Sequence, residues 1–263
     1  MDLGLSNKVA FVAGASSGLG KAAALEFAKE GAKVVLCARS ESTLHEAAQE
    51  IATATGGAVL PIVCDVTDEA QVQQAIATTV DHFGGLHILV ANAGGAPSGR
   101  FADLNNDKWE QAFRLNFLST VTLIRHALPH MQAAQWGRII TITSISVKQP
   151  IDSLLLSNTI RPGVVGLVRS LATQLASQNI TVNNLAPGYT LTERLHHIFE
   201  DVAQQQGITE EQAAAGITKA IPMGRMGEPE EQAAVIAFLA STRASFITGQ
   251  TILVDGGEFR GLM

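Results

Sequence analysis

A glycine-rich segment near the start of the chain carries a clear chemical signal. It reads Gly14-Ala15-Ser16-Ser17-Gly18-Leu19-Gly20 and connects the apolar run Val9–Ala13 to the helical pattern Gly20–Glu30. Glycines let the backbone approach a bulky anion closely, and the first N–H groups of a helix attract negative charge. The segment therefore predicts a turn that binds a phosphate or pyrophosphate group.

Two further polar residues lie where a ligand could use them. Asn116 falls within the helical pattern Lys108–Ala134, one turn after Ala112 and therefore on its apolar face. A buried amide needs hydrogen-bond partners, which either the core or a ligand can supply. Ser144 directly follows the apolar run Arg138–Thr143, at the strand end where open α/β sheets bind ligands.

The elements that position these residues alternate regularly along the chain. The apolar runs are mostly continuous, as in strands buried on both faces of a parallel sheet; they are Val9–Ala13, Val34–Cys37, Ala58–Val63, Leu86–Ala91, Arg138–Thr143, Ile180–Leu185 and Thr251–Val254. The helical patterns between them are Gly20–Glu30, Ser42–Thr53, Glu69–Phe83, Lys108–Ala134, Val164–Ser177 and Glu230–Ala240. This alternation predicts one α/β domain over residues 1–263, a doubly wound parallel sheet with helices on both faces.

One segment interrupts the alternation. Residues Leu191–Ala220 are helical in pattern and rich in Gln, Glu and Ala, and they contain no strand-like run. We expect a substrate flap at about residues 191–220, because an insertion of this kind often covers a site and moves. A pair of surface helices is the alternative.

Several motifs, at matching spacing, resemble those of the short-chain dehydrogenase/reductase family. The resemblance extends from about Asn7 to Gly257 and rests on Gly14…Gly20, Cys64-Asp65-Val66, Asn92-Ala93-Gly94, Asn116, Ile142-Thr143-Ser144, Asn183…Pro187-Gly188…Thr192 and Gly249…Val254-Asp255-Gly256-Gly257. It implies a Rossmann fold with a seven-stranded sheet, a nicotinamide dinucleotide cofactor, and a homotetramer or homodimer.

The residue after the second strand bears on which dinucleotide binds. An acidic residue there would accept hydrogen bonds from the adenosine ribose and favour NAD. This chain has Arg39, whose planar cation suits a 2′-phosphate, so the sequence favours NADP(H) over NAD(H). A solvated arginine at a helix start is the alternative.

The resemblance implies further contacts with the cofactor. In the glycine turn they involve Gly14, Ser16, Ser17, Gly18, Leu19 and Gly20. Elsewhere they involve Asp65, Val66, Asn92, Ala93, Gly94, Arg161, Pro187, Gly188, Thr190 and Thr192. Asp65 could equally act as a cap at the end of its strand.

The resemblance also implies a catalytic set of Asn116, Ser144, Ser157 and Arg161, in which the last two depart from the family's pattern. The family's asparagine helps to hold a water of a proton relay, and its serine hydrogen-bonds the substrate oxygen. Thirteen residues after that serine the family has a tyrosine, and four residues later a lysine. This chain has Ser157 and Arg161 at those positions.

These two replacements change the available chemistry. A serine hydroxyl is a far weaker acid than a phenol of pKa about 10, so Ser157 could pass a proton only as a hydrogen-bonded link. Arg161 can donate to ribose hydroxyls but cannot act as an acid or base near neutral pH. Ser157 or Asn158 could instead cap a helix with Pro162 in its first turn, and Arg161 could pair with an acid.

Other side chains could supply a proton near this site. The loop after Ser144 offers Lys148 and Asp152, and the flap offers Arg194, His196 and His197. The remaining histidines are scattered, and the sequence predicts no metal site.

Composition excludes several other classes of protein. The net charge of −6 argues against nucleic acid or an anionic membrane surface as the main partner. No apolar run approaches the roughly 20 residues of a membrane span. The only cysteines, Cys37 and Cys64, end apolar runs, and we expect buried thiols in a reducing cytoplasm.

The sequence thus predicts an atypical, 3-oxoacyl-reductase-like oxidoreductase with a small-molecule substrate. It would move hydride between NADP(H) and a carbonyl/alcohol or imine carbon. Two alternatives remain: a cofactor-binding protein without redox turnover, such as a sensor or inactive subunit, and a non-redox lyase or isomerase that uses the same pocket.

Overall fold

The computed structural model describes residues 2–262, apart from the side chain of Gln205. Within this range the strands are β1 Val9–Ala13, β2 Lys33–Ala38, β3 Val59–Val63, β4 Ile88–Ala91, β5 Gly137–Ile142, β6 Ile180–Pro187 and β7 Thr251–Val254. The helices are α1 Gly18–Lys29, α2 Glu41–Thr55, α3 Glu69–Phe83, α4 Asn106–Phe113, α5 Ser119–Ala133, α6 Leu155–Leu175, α7 Glu193–Gln206, α8 Glu210–Ala220 and α9 Pro229–Ala240.

The seven strands form one parallel sheet in the order β3-β2-β1-β4-β5-β6-β7. The winding reverses between β1 and β4, so the connections that follow these two strands leave in opposite directions. A crevice opens at such a reversal, outside the carboxyl ends of the strands. The predicted doubly wound Rossmann architecture is confirmed.

The core lies on both faces of the sheet because alternate strand residues point to opposite sides. Val12 of β1 packs in a cluster with Phe27 of α1 and Leu44 of α2. The adjacent Phe11 packs in the other cluster, with Val72 of α3 and Val168 of α6. Both faces are apolar, which explains why these strands read as continuous apolar runs.

Helix α6 begins nine residues before the predicted start at Val164, and Pro162 lies inside it. The capping prediction is therefore wrong: the N-cap is Leu154, Ser157 is buried within the first turn, and the Asn158 side chain bonds the backbone of Ile151. Proline removes one helical N–H, which normally costs a helix interior about 3 kcal/mol. Here the buried residues Leu156 and Ile160 hold the first two turns against the protein, so the helix continues through the proline.

The predicted helix Lys108–Ala134 is divided in two by a change of helical type. Residues Arg114–Leu118 form a π-helical segment between α4 and α5. A π turn holds an extra residue, which is a common arrangement near functional sites. Asn116 lies in the middle of this segment.

The predicted flap comprises α7 and α8, and in the described residues from Leu191 to Ala220 it contains no strand. Its first residue is tied to the chain that follows it, because Leu191 N–H donates to the carbonyl of Gly227 at 2.8 Å. Inside, Leu195 and Phe199 of α7 pack with Ile221 and Met226 that follow α8. The flap is thus a unit with its own small core; its movement stays a prediction.

Two further features bear on the class of protein. Among the described residues, none of the helices is long and apolar enough to cross a bilayer. Cys37 and Cys64 are buried free thiols, as expected.

The turn between β1 and α1 depends on the absence of one side chain. A Cβ atom on Gly20 would lie 2.1 Å from the carbonyl oxygen of Gly14, far inside van der Waals contact. Gly14 itself has a φ of +61°, which L side chains rarely adopt. Helix α1 can start this close to β1 only because residue 20 is glycine.

We therefore expect Gly20→Ala to lower the free energy of unfolding by more than about 2 kcal/mol, since the contacting atom is backbone and cannot move aside alone. Denaturant unfolding measures the change. Gly166→Ala in α6 is the matched control, because a Cβ there meets open space. It should be neutral or stabilise the protein by up to about 1 kcal/mol. Equal stability of the two variants would contradict the steric argument.

Candidate functional site

A cleft of about 940 Å³ lies at the carboxyl edge of the sheet, beneath helix α7. Most of the residues predicted to bind or act on ligands line it: Gly14, Ser16, Ser17, Gly18, Leu19, Arg39, Val66, Asn92, Ala93, Gly94, Ser144, Ser157, Arg161, Pro187, Gly188, Thr190 and Thr192. Gly20, Asp65 and Asn116 are not part of the wall. The structure thus places most of the predicted residues around one cleft and leaves these three outside its wall.

One end of the cleft is suited to a phosphate. Ser17 is the N-cap of α1, yet its side chain makes no capping hydrogen bond, and the first turn of the helix contains no acidic residue. The positive end of the helix dipole and its first N–H groups are therefore available to an anion. This supports the predicted role of the glycine turn.

Arg39 stands at the mouth of the same end, directly after β2. Its side chain is exposed, lines the cleft with Ser40, and forms no hydrogen bond or ion pair with any other described residue. An arginine without a protein partner keeps all five N–H donors for a ligand. The arrangement fits a terminal phosphate on the adenosine side of a dinucleotide.

Asp65 has a local structural role. Its carboxylate accepts hydrogen bonds from the backbone N–H and the hydroxyl of Thr67, at 2.9 and 2.8 Å. This geometry corresponds to the strand-end cap that the sequence left open as an alternative. The neighbouring Val66 is the member of the pair that lines the cleft.

Asn92 joins the two connections that diverge around the crevice. Its amide Nδ2 donates to the carbonyl oxygens of Ala13 at 3.2 Å and Gly14 at 3.4 Å. The turn after β4 is thereby fixed against the turn after β1. These contacts hold the two turns together at the centre of the sheet.

Asn116 is buried and only half satisfied. Its Nδ2 donates to the carbonyl of Gly94 at 3.1 Å, while its Oδ1 is buried without a hydrogen-bond partner. Buried side-chain oxygens nearly always have a partner, so an unpaired one calls for a ligand or an ordered water. The amide thus reaches the cleft indirectly, through the strand-end residue Gly94.

Three serine side chains lie near the end of β5: Ser144 and Ser146 follow the strand, and Ser157 lies in the first turn of α6. Ser144 lines the cleft, and its Oγ accepts from the backbone N–H of Ser146 at 3.1 Å, which leaves its own hydroxyl proton free to donate. Ser157 does not contact Ser144: its Oγ lies 2.9 Å from the Oγ of Ser146, and both hydroxyls are buried. Sequence analysis missed Ser146, whose only signal is a polar residue in an apolar stretch.

Arg161 takes its acceptors from the end of β5. Its Nη1 donates to the carbonyl oxygens of Ile142 at 3.1 Å and Thr143 at 2.8 Å. Burial, together with the nearby charge of Arg194, lowers the pKa of Arg161 to about 10. The guanidinium therefore remains charged at neutral pH, and none of the described carboxylates pairs with it.

Only two of the other suggested proton donors reach the cleft. Arg194 and His197 line it from α7, whereas Lys148, Asp152 and His196 do not. His197 Nδ1 lies 3.0 Å from a carboxylate oxygen of Glu200. Such a pairing orients the imidazole, which can carry a proton. A water bound in the cleft could carry the proton instead.

The one tyrosine of the chain is also at the cleft wall. Burial, and to a lesser extent the charge of Glu258, raises the pKa of Tyr189 to about 12. Its phenol is therefore a weaker acid than an ordinary tyrosine. Tyr189 does not compensate for the serine at position 157.

Comparison with known proteins identifies relatives over almost the whole chain. A family described as enoyl-(acyl carrier protein) reductase matches residues 14–258. Dehydrogenase/reductase SDR family member 4 of Oryctolagus cuniculus is 34% identical over 254 residues, which are 96% of this chain and 94% of the relative. The 3-oxoacyl-(acyl-carrier-protein) reductase FabG of Aquifex aeolicus is 32% identical over 259 residues, 98% of this chain and all of the relative.

A solved structure shares the fold in full. The crystal structure of L-sorbose reductase from Gluconobacter frateurii, complexed with NADPH and L-sorbose, superposes with a TM-score of 0.94 at 34% identity. The match covers 100% of each chain.

The hydroxyl pair behind the cleft can be tested by a double-mutant cycle. Ser146→Ala or Ser157→Ala alone leaves the other buried hydroxyl without its partner, so the double variant should lose about 1 kcal/mol less unfolding free energy than the two single losses combined. The control cycle pairs Ser144→Ala with Ser157→Ala, where the structure has no hydrogen bond and the losses should add. Equal coupling in both cycles would contradict the assigned pairing.

Proposed function

The chain belongs to the short-chain dehydrogenase/reductase family, and on that premise we propose that it is an NADP(H)-dependent oxidoreductase with a non-standard catalytic site. It transfers hydride to or from a carbonyl/alcohol carbon of a small molecule, in the manner of the 3-oxoacyl reductases among its relatives. The observation that carries the proposal is one continuous cleft. It joins an anion-binding helix end and a free arginine to Ser144 and Arg161.

The residues of the cleft fit a phosphorylated dinucleotide. The helix end beside Ser17 would hold the pyrophosphate, Arg39 the 2′-phosphate, and the unused donors of Arg161 the nicotinamide ribose. When bound, the cofactor supplies or accepts the hydride. The L-sorbose reductase structure, a complex with NADPH, supports the choice of phosphorylated cofactor.

In the reductive direction the chain must handle one developing charge and one proton. Hydride addition to the carbonyl carbon moves the π electrons of the C=O bond onto its oxygen, which then takes up a proton. Ser144 donates a hydrogen bond to that oxygen, because its hydroxyl proton is free. Arg161 is a fixed positive charge near the same strand end and favours the negative oxygen electrostatically.

The proton itself needs a carrier other than the residues at positions 157 and 161. Ser157 is joined to Ser146, so these hydroxyls can only relay a proton that arrives from elsewhere. A water held near the unpaired Oδ1 of Asn116, or the flap imidazole of His197, completes the path. This is the respect in which the site departs from the family's tyrosine and lysine.

We also propose that the chain self-associates as a homodimer or homotetramer. Phe113 at the end of α4 and Leu118 at the end of the π-helical segment are exposed apolar side chains. Strand β7 is an edge of the sheet, and Phe246 just before it is fully exposed. Association would cover these exposed apolar side chains, and the mass in solution tests it. The buried free thiols agree with the expected reducing cytoplasm.

Cofactor choice is tested at Arg39. We expect NADPH to bind at least about tenfold more tightly than NADH, a difference of about 1.4 kcal/mol, and Arg39→Ala to remove most of it. Titration calorimetry measures both affinities. Arg100→Ala removes an exposed arginine outside the cleft and should leave the ratio unchanged. Equal affinities in the wild-type protein would refute the assignment to NADP(H).

Turnover is tested by NADPH absorbance with a panel of small ketones and oxo acids. We expect reduction of at least one of them, with a kcat that Ser144→Ala lowers about 10²-fold because one donor to the oxygen is lost. Ser170→Ala is the control, since its hydroxyl is exposed on α6 and bonds the Gly166 carbonyl.

Two other outcomes would decide against the proposal. Tight NADPH binding with no oxidation by any carbonyl compound would favour a cofactor-binding protein. Conversion of a substrate with no net change in nicotinamide absorbance would favour a lyase or isomerase.

A further inference from the structure

Two arginines line the cleft and leave most of their donors without a protein acceptor: Arg161, which bonds the end of β5, and Arg194 of α7. Arg161 contacts protein oxygens only through Nη1, and Arg194 only through Nη2, which donates to the carbonyl of Ala96 at 2.7 Å. The Nε and the remaining terminal nitrogen of each have no acceptor among the described residues. Both side chains line the cleft.

Arg194 is held in place rather than free in solvent. The guanidinium lies against the backbone after β4: a Cβ on Gly95 would be 2.6 Å from its Nε and 3.0 Å from its Cζ. The next residue, Leu195, is buried in the core of the flap. The backbone at Gly95 and the anchored neighbour Leu195 therefore fix the position of Arg194, and a binding group needs such support.

The two positive charges are not balanced by the protein. None of the ion pairs among the described residues includes either arginine. The one carboxylate residue at the cleft wall, Glu193, also borders the neighbouring depression beside α1 and α2, towards the predicted phosphate end. Like charges that share a desolvated site destabilise it until an anion arrives.

The phosphates of a dinucleotide already have their own places. The helix end at Ser17 and the free Arg39 lie on the β1–β2 side of the cleft, whereas Arg161 and Arg194 adjoin β5 and the loop after β4. Arg161 is proposed to hold the ribose, whose hydroxyls carry no charge, so an anion bound by Arg194 would belong to the substrate. Ile151 and Leu154 contribute apolar wall to the same cleft, and they offer such an anion no hydrogen-bonding side chain.

We infer that the substrate carries a carboxylate within a few bonds of its reacting carbon, and that Arg194 binds this carboxylate in the part of the cleft that Arg161 also lines. The inference rests on the proposed function and names its substrate class: an oxo acid reduced to a hydroxy acid. Hydride forms the new C–H bond, the π electrons and one proton complete the hydroxyl group, and the carboxylate is unchanged. A guanidinium suits this group because its planar donors match the two oxygens.

The test compares pyruvate, acetoacetate and levulinate, each with its own methyl ester, as oxidants of NADPH. For at least one pair the acid should have a kcat/KM about 10- to 100-fold above that of the ester, which is the usual effect of a hydrogen bond to a charged group. Arg194→Met should abolish this ratio, mainly through KM, and Arg194→Lys should keep part of it. Lys148→Met removes an exposed charge outside the cleft and should not change the ratio.

A second measurement separates this inference from the proposed function. The same acids and esters are titrated by calorimetry into protein loaded with NADPH, and NADPH is titrated into Arg194→Met. Binding that favours the acid, without oxidation of NADPH, supports the carboxylate site and counts against the proposed function.

Three results would overturn the inference itself. The first is that the esters are bound or reduced as well as the acids. The second is that none of the three acids is preferred to its own ester. The third is that the Arg194→Met variant binds NADPH at least tenfold more weakly. The last result would assign Arg194 to the cofactor.

Discussion

The fold depends on how closely the turn after β1 can approach its neighbours. Helix α1 starts against the carbonyl of Gly14, where only a glycine at position 20 fits, and Asn92 reaches across to the same turn. These contacts fix the two connections whose divergence creates the crevice. The start of α1, the turn after β4 and the end of β5 line one cleft only while that geometry holds.

In the proposed site, a permanent charge at Arg161 takes the place of the family's titratable lysine, and a serine takes the place of its tyrosine. A phenol and an amine can exchange protons near physiological pH once their environment tunes them, whereas a hydroxyl and a guanidinium cannot. Arg161 donates hydrogen bonds to the end of β5, so it also fixes the strand end that Ser144 follows. If the proposal holds, these two side chains keep charge in place, and a bound water or the His197 imidazole would deliver the proton.

Sequence reasoning succeeded where the deciding forces are local. The bounds of β1, β7 and α3 were predicted to the residue, and α3 shows why: Asp68 caps its start through two backbone N–H groups, and Gly84 ends it at a φ of 83°. It failed at the start of α6 because packing around Leu156 outweighed the local rule for Pro162. The contact between Arg194 and Ala96 joins residues 98 apart in the chain, and no local pattern encodes it.

Because Asn116 lies in the π-helical segment Arg114–Leu118, the direction of its side chain depends on the local helix geometry as well as on the residue type. Each residue of an α-helix advances about 100° around the axis, so one added residue turns everything beyond it by that angle. A deletion of a single residue here would restore a continuous α-helix and swing the amide away from Gly94. Two related chains can therefore share this asparagine in an alignment and still present it to different surroundings, and the local helix geometry decides which.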